Sequence, residues 1–202
     1  MKLKPQVEPI VHSSLGLNAL CERLQAADRS AILELGPVRG RNIEFWSRFS
    51  DSIYVADLPS SLPLTSLEEG QDFPGPEWDQ LLGVPVGQLF DVILAWDVLN
   101  YLELSTVSSL IRYLSNFCRP GTILFALIFD HRQMPDEITV YRIVDEGHLV
   151  YELSGSAMRT CPRHQPRLLT RIICPFRTSS SFRLRNGVVE YLFAYEGDKR
   201  GE

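Results

Sequence analysis

The chain has no apolar run near the ~20 residues that span a bilayer; its longest, Gly121 to Phe129, is strand-sized. No apolar stretch follows the N-terminal lysines Lys2 and Lys4, so no secretory leader is expected there. Cys21, Cys118, Cys161 and Cys174 form no CxxC pair, and His12, His131, His148 and His164 show no HxH or HExxH spacing. No metal site is therefore expected, and reduced, mostly buried cysteines fit a cytoplasmic protein. A basic excess is also missing: 20 Lys and Arg stand against 25 Asp and Glu, for a formal charge of −5. That balance argues against nucleic acid as a partner, because such binding runs on phosphate neutralisation. Internal repeats and low-complexity tracts are absent as well. What is present is 45% hydrophobic and 22% charged residues over 202 positions, enough for the core of one domain.

Periodicity organises the chain. Leu17, Leu20, Cys21 and Leu24 fall on one helical face, and Ser13 or Ser14 can cap that helix. AILELG, Ala31 to Gly36, reads as a buried strand, followed by a helical pattern on Ile43, Trp46 and Phe49. SIYVAD, Ser52 to Asp57, is a second strand, so a βαβ crossover and a parallel sheet are expected. Leu58 to Leu89 is broken by prolines and glycines and reads as irregular, with a short helix near Ser66 to Glu69 and a turn near Trp78 to Leu82. FDVILAW, Phe90 to Trp96, restores the pattern. A helix on Val107, Leu110, Ile111, Leu114 and Phe117 follows, with Ser105 as its expected N-cap, and then the strand TILFALIF.

The last third predicts a hairpin around Asp145-Glu146-Gly147, a short helix over Gln165 to Cys174, and a closing hairpin turned at Asn186-Gly187. The expected fold class is α/β: a Rossmann-like, doubly wound sheet, mostly parallel, with an antiparallel C-terminal strand and an inserted β-hairpin. One domain over 1–202 is expected, comprising an N-terminal arm at 1–13, the inserted hairpin at 138–153 and a frayed tail at 197–202.

Three polar turns fall at predicted carboxyl ends of strands, where an open α/β sheet binds its ligand. They are Glu34-Leu35-Gly36-Pro37-Val38-Arg39-Gly40-Arg41-Asn42, Asp57, and Trp96-Asp97. A glycine turn lets backbone approach a ligand, and a carboxylate on the second strand can accept both hydroxyls of a ribose.

This set resembles the class I S-adenosylmethionine-dependent methyltransferases. ELGPVRGRN is similar to their acidic-x-G-x-G-x-G motif, Asp57 falls on their ribose-binding acidic position, and FDVILAWDVLNYL looks like their fourth-strand motif. Arg119-Pro120-Gly121 and NGVVEYLFAYE resemble the punctuation before the fifth strand and the closing strand. The resemblance runs from about Leu15 to Glu196. It implies a seven-stranded sheet with a reversed last strand and S-adenosyl-L-methionine as cofactor. Glu34, Gly36 and Gly40 would serve its methionine end, Asp57 its ribose, and Asp72 or Asp79 its adenine. Trp96 and Asp97 would frame the transfer site. Val38 departs from the pattern, standing where a second glycine is usual; a β-branched residue resists the conformation that glycine permits.

Acceptor residues are sought on the same edge. Asp130 and His131, just past the fifth strand, are candidates for acid–base work, and Asn100 and Tyr101 for the acceptor pocket. No Asn-Pro-Pro-Tyr tetrad occurs. Arg159, Arg163, Arg167 and Arg171, with Arg177, Arg183 and Arg185, give the C-terminal third a basic texture suited to an anionic substrate or a protein partner. Two functions stay open: methyl transfer to a small molecule or protein side chain, and a non-catalytic binding or scaffold module of the same fold.

Overall fold

A computed structural model describes residues 10–27, 30–37, 39–61, 78–153, 155–161 and 166–197. Its central sheet has six strands. In spatial order these are β10 (Phe176–Arg183), β11 (Val188–Tyr195), β5 (Cys118–Phe129), β4 (Phe90–Trp96), β2 (Ala31–Glu34) and β3 (Ser52–Val55). β3, β2, β4 and β5 are mutually parallel, whereas β11 runs antiparallel to both β5 and β10. Buried parallel strands have both faces covered, which is why β4 reads as an almost unbroken apolar run.

Two hydrophobic layers sandwich this sheet. On one face lie α1 (Leu15–Gln25) and α2 (Gly40–Trp46), through Leu17, Leu20, Leu24, Phe45 and Trp46. On the other lie α4 (Trp78–Leu82), α5 (Leu104–Leu114) and α6 (Pro166–Ile172), through Trp78, Leu82, Val107, Leu110, Ile111 and Leu169. A short α3 (Leu58–Ser61) follows β3. The doubly wound α/β arrangement expected from periodicity is therefore the observed one.

The differences are local. Val11–Ser13, assigned to an N-terminal arm, forms a strand, β1, paired with β8 (His148–Glu152). Together with β7 (Val140–Asp145), these make a separate three-stranded sheet, order β1-β8-β7. A two-stranded ribbon of β6 (Gln133–Pro135) and β9 (Met158–Thr160) was not anticipated; three-residue strands carry too little alternation to register. Helix α5 starts one residue before Ser105: the Val107 N–H reaches the Glu103 carbonyl at 2.8 Å, which makes Glu103 the N-cap, and no side chain caps the helix. The central sheet has six strands among the described residues, not seven. Residues 62–77, which include Asp72 and the short helix expected near Ser66, lie outside the described residues, as does Val38.

One buried carboxyl sets how α1 docks. Glu190 on β11 accepts hydrogen bonds from the Ser14 hydroxyl at 2.5 Å and the Gly16 N–H at 2.7 Å, while Ser14 caps Leu17 at 3.1 Å. The approach leaves no space at Gly16: a Cβ there would stand 2.9 Å from the Glu190 Cβ and 3.0 Å from Phe125. Gly16→Ala is thus expected to destabilise the protein by about 1–3 kcal/mol through overpacking. Urea denaturation measures this; an unchanged midpoint would mean that α1 sits further from β11.

Candidate functional site

The parallel strands present their carboxyl ends on one edge, and the first polar group there is Glu34. Its side chain is 2% exposed. Oε1 accepts the Gly36 N–H at 2.7 Å and the Trp96 indole N–H at 2.7 Å, joining the end of β2 to the end of β4. Burial pushes the Glu34 carboxyl up to about 8 despite these two bonds, so it is predominantly protonated at neutral pH.

Two non-glycine residues on this edge adopt left-handed backbone, Asp57 at φ 40° and Trp96 at φ 46°. Each costs of order 1 kcal/mol or more, and such conformations gather where a fold holds side chains for a purpose. Asp57 follows β3, and its Oδ1 is buried without a hydrogen-bond partner. At Trp96 the β4–β5 register shifts, and the indole lies back over the glycine turn. A Cβ on Gly36 would sit 2.5 Å from the indole Cδ1, whereas one on Gly40 would meet nothing within 4 Å.

The inserted hairpin completes the cover. Tyr141 of β7 stacks on Trp96 with ring centroids 5.2 Å apart and planes 8° from parallel. Asn42, in the first turn of α2, ties that strand down: its amide N–H donates to the Tyr141 carbonyl at 2.7 Å, and its carbonyl oxygen accepts the Ile143 N–H at 3.0 Å. The glycine turn, its helix and the hairpin thus form one connected unit.

Asp97 is fully buried beside this stack. Oδ2 accepts the Thr139 N–H at 3.0 Å and Oδ1 has no partner; the hydroxyls of Thr139 and Tyr141 face the same carboxyl without closing a bond of ordinary length. Burial pushes Asp97 up to about 7. The other nominated residues have structural partners. Asn100 donates to the Asp97 and Leu127 carbonyls and accepts the Phe129 N–H, bracing β4 against β5. Tyr101 donates to the Glu137 carbonyl at 2.7 Å. Asp130 is paired with Arg183 at 2.5 Å, and His131 meets the Asn186 carbonyl across the closing hairpin. Asp79 is exposed in the first turn of α4, its charge near the Tyr113 phenol.

The edge therefore brings together Glu34, Gly36, Trp96 and Asp97, with Asp57 on the adjacent strand. Sequence reading missed Asn42, Thr139 and Tyr141. Only the alternation of ITVYRIV hinted that Tyr141 faces inward, and nothing local says what it faces. Among the described residues no cluster of His, Cys, Asp and Glu could hold a metal ion, and no helix is long and apolar enough to cross a membrane.

Two outcomes follow from this network. Asn42→Ala strands two buried backbone groups and is expected to cost roughly 2–4 kcal/mol in denaturation experiments; a cost under about 0.5 kcal/mol would mean that the staple is dispensable. Glu34 and Asp97 bind protons more tightly folded than unfolded, so their contribution to stability is full in acid and declines as pH rises through about 7 to 8. Stability is expected to fall between about pH 5 and pH 8.5, and Glu34→Gln, which keeps an acceptor but cannot ionise, should flatten that fall. An unaltered slope would show that Glu34 does not titrate there.

No protein-family model and no curated protein sequence matches the chain. Solved structures do match. An S-adenosylmethionine-dependent methyltransferase from Clostridium acetobutylicum ATCC 824 is similar at TM-score 0.55 and 12% identity over 90% of each chain. DhpI, solved in complex with SAH, aligns at TM-score 0.50 and 16% identity over 90% of this chain and 84% of its own. Streptomyces venezuelae DesVI aligns at TM-score 0.50 and 9% identity over 88% and 91%. The chain has the fold of the class I S-adenosylmethionine-dependent methyltransferases.

Proposed function

We propose that the chain binds S-adenosyl-L-methionine across the carboxyl ends of β2, β3 and β4 and serves methyl transfer to a small molecule or a protein side chain. The observation that carries this reading is Asp57, a left-handed residue at the end of β3 with a buried, unpartnered carboxylate oxygen. An orphaned acceptor of that kind is costly to keep, and a ribose diol supplies the missing donors. When bound, the cofactor contributes a sulfonium methyl group as electrophile. The protein's part is positioning, with a base wherever the acceptor carries a proton.

For that base the surroundings favour Asp97 over Asp130 and His131. Its Oδ1 is unpartnered, and its acidity is already near neutral, where a proton can be taken and returned. Asp130 and His131 are instead occupied by Arg183 and Asn186. A cytoplasmic setting goes with this reading, supported by four cysteines that are all unpaired.

The fit is good at the ribose end and poor at the glycine turn, where the Trp96 indole stands against Gly36. That contact favours a second reading, a binding or scaffold module of methyltransferase fold that has given up the methionine end.

Calorimetric titration with S-adenosylmethionine and S-adenosylhomocysteine separates the two readings. Under the first, wild type binds both, and Asp57→Ala loses about 1–3 kcal/mol, the scale of a charged hydrogen bond. Trp96→Ala, verified as folded by circular dichroism, then binds at least as tightly as wild type. No binding by wild type with binding gained in Trp96→Ala supports the second reading, and no binding by any folded variant removes the cofactor altogether.

A further inference from the structure

The strongest unexplained feature lies on the opposite edge of the sheet, away from Asp57 and Trp96. There a cleft of about 630 Å³ opens between the C-terminal half of α5, the end of α6, the start of β10 and the end of β11. Phe176 pairs with Tyr195 and Ala194 with Ile123, so the cleft sits at the amino ends of the parallel strands. Its volume falls within the range of small-molecule sites.

Three arginines line it: Arg112, Arg171 and Arg177. The lining has one carboxylate, Glu196, and Arg177 already holds it at 2.5 Å. Among the described residues neither Arg112 nor Arg171 has a carboxylate within ion-pair distance. The chain as a whole carries more acidic than basic residues, so two unmatched guanidinium groups in one concavity run against its composition. Each arginine lies in the last turn of its helix, where the negative end of the helix dipole attracts a cation. The dipole explains one basic residue per helix; it does not explain why both border the same cleft.

The rest of the lining has the makeup of a recognition site. Ser108 and Asn116 add neutral hydrogen-bonding groups, while Ile172, Pro175 and Tyr195 give an apolar wall. Guanidinium forks match the oxygens of a phosphoryl group in pairs, and a neighbouring apolar wall suits an organic remainder.

We infer that this cleft is a binding site for a small phosphorylated ligand, held by Arg112 and Arg171 and separate from the carboxyl edge of the sheet. The inference stands whether or not the opposite edge binds a methyl donor. Arg112 and Arg171 are both exposed and form no ion pair among the described residues, so replacing them leaves the core intact.

The probe is inorganic pyrophosphate, titrated calorimetrically at a constant ionic strength of about 0.15 M, where non-specific attraction is screened. Saturable one-to-one binding is expected, weakened at least about tenfold in Arg112→Ala/Arg171→Ala. Arg185→Ala, an exposed arginine in the closing hairpin turn, serves as the control and should bind as wild type. Cys174 lines the same cleft and is the exposed cysteine of the four. Its alkylation by iodoacetamide should slow when pyrophosphate is present and should not slow in the double variant. Absence of saturable binding, binding indifferent to the double substitution, or equal loss in Arg185→Ala would each overturn the inference.

Discussion

The carboxyl edge depends on one buried contact, the Glu34 carboxyl receiving both the Gly36 N–H and the Trp96 indole N–H. A carboxyl removed from water is costly unless its hydrogen bonds are made, and here the proton it retains lessens that cost. The contact fixes the turn after β2, because Gly36 must keep its N–H aimed back at Glu34. It also fixes the end of β4, because the indole N–H has to reach back to the same carboxyl beside that glycine. Tyr141 stacks on the indole, and Asn42 anchors the strand that carries Tyr141. Geometry thus propagates from one side chain through two strands, a helix and an inserted hairpin.

The parts legible in the sequence were those governed by local rules. Strand β4 announces itself as an apolar run, α1 as a stripe capped by Ser14, and the closing hairpin by Asn-Gly. The turn residues Glu34, Gly36, Asp57 and Asp97 follow from one topological fact, that parallel strands end together on one edge. What could not be read depends on tertiary contact. The left-handed backbone of Trp96 belongs to a residue type that rarely adopts it, and no spacing rule foretells an indole folded back on a glycine. Asn42 looks like an ordinary residue in a first helical turn until β7 is beside it. Asp130 and His131 sit on the correct edge by topology, yet Arg183 and Asn186 across the closing hairpin already engage them.

The two edges of the sheet differ in electrostatic character for a reason that lies in the fold. Helices α2 and α5 run back antiparallel to the strands, so their amino ends lie with the carboxyl ends of the strands. The last turn of α5 lies at the opposite edge, where carbonyl groups gather and arginine is favoured. Buried carboxyls that hold their protons more tightly than free ones mark one edge, and Arg112 and Arg171, beside helix C-termini, border the other. The acidic total of the chain conceals this division, and the arginines of the last third divide between the edges: Arg171 and Arg177 line the cleft, whereas Arg183 pairs with Asp130 at the carboxyl end of β5.

The indole over Gly36 is strongly held, but its energy sets a limit on what it can exclude. Moving it aside forfeits one buried hydrogen bond to a carboxyl, worth about 1–3 kcal/mol, and one aromatic stack, worth about 0.5–1.5 kcal/mol beyond area. A ligand of micromolar intrinsic affinity brings about 8 kcal/mol. Such a ligand would displace the indole and retain a measurable affinity, lowered by the fraction of molecules already open. The contact therefore does not by its strength alone convert a binding site into a closed core. The hairpin adds to the closure, since Tyr141 stacks on the indole and is fastened through Asn42 to the helix that begins at the glycine turn. The decisive property of the site is thus the hold on the hairpin, shared by the two hydrogen bonds of Asn42, the Thr139 N–H given to Asp97 and the apolar packing of Tyr141 and Ile143 against Phe45 and Trp46.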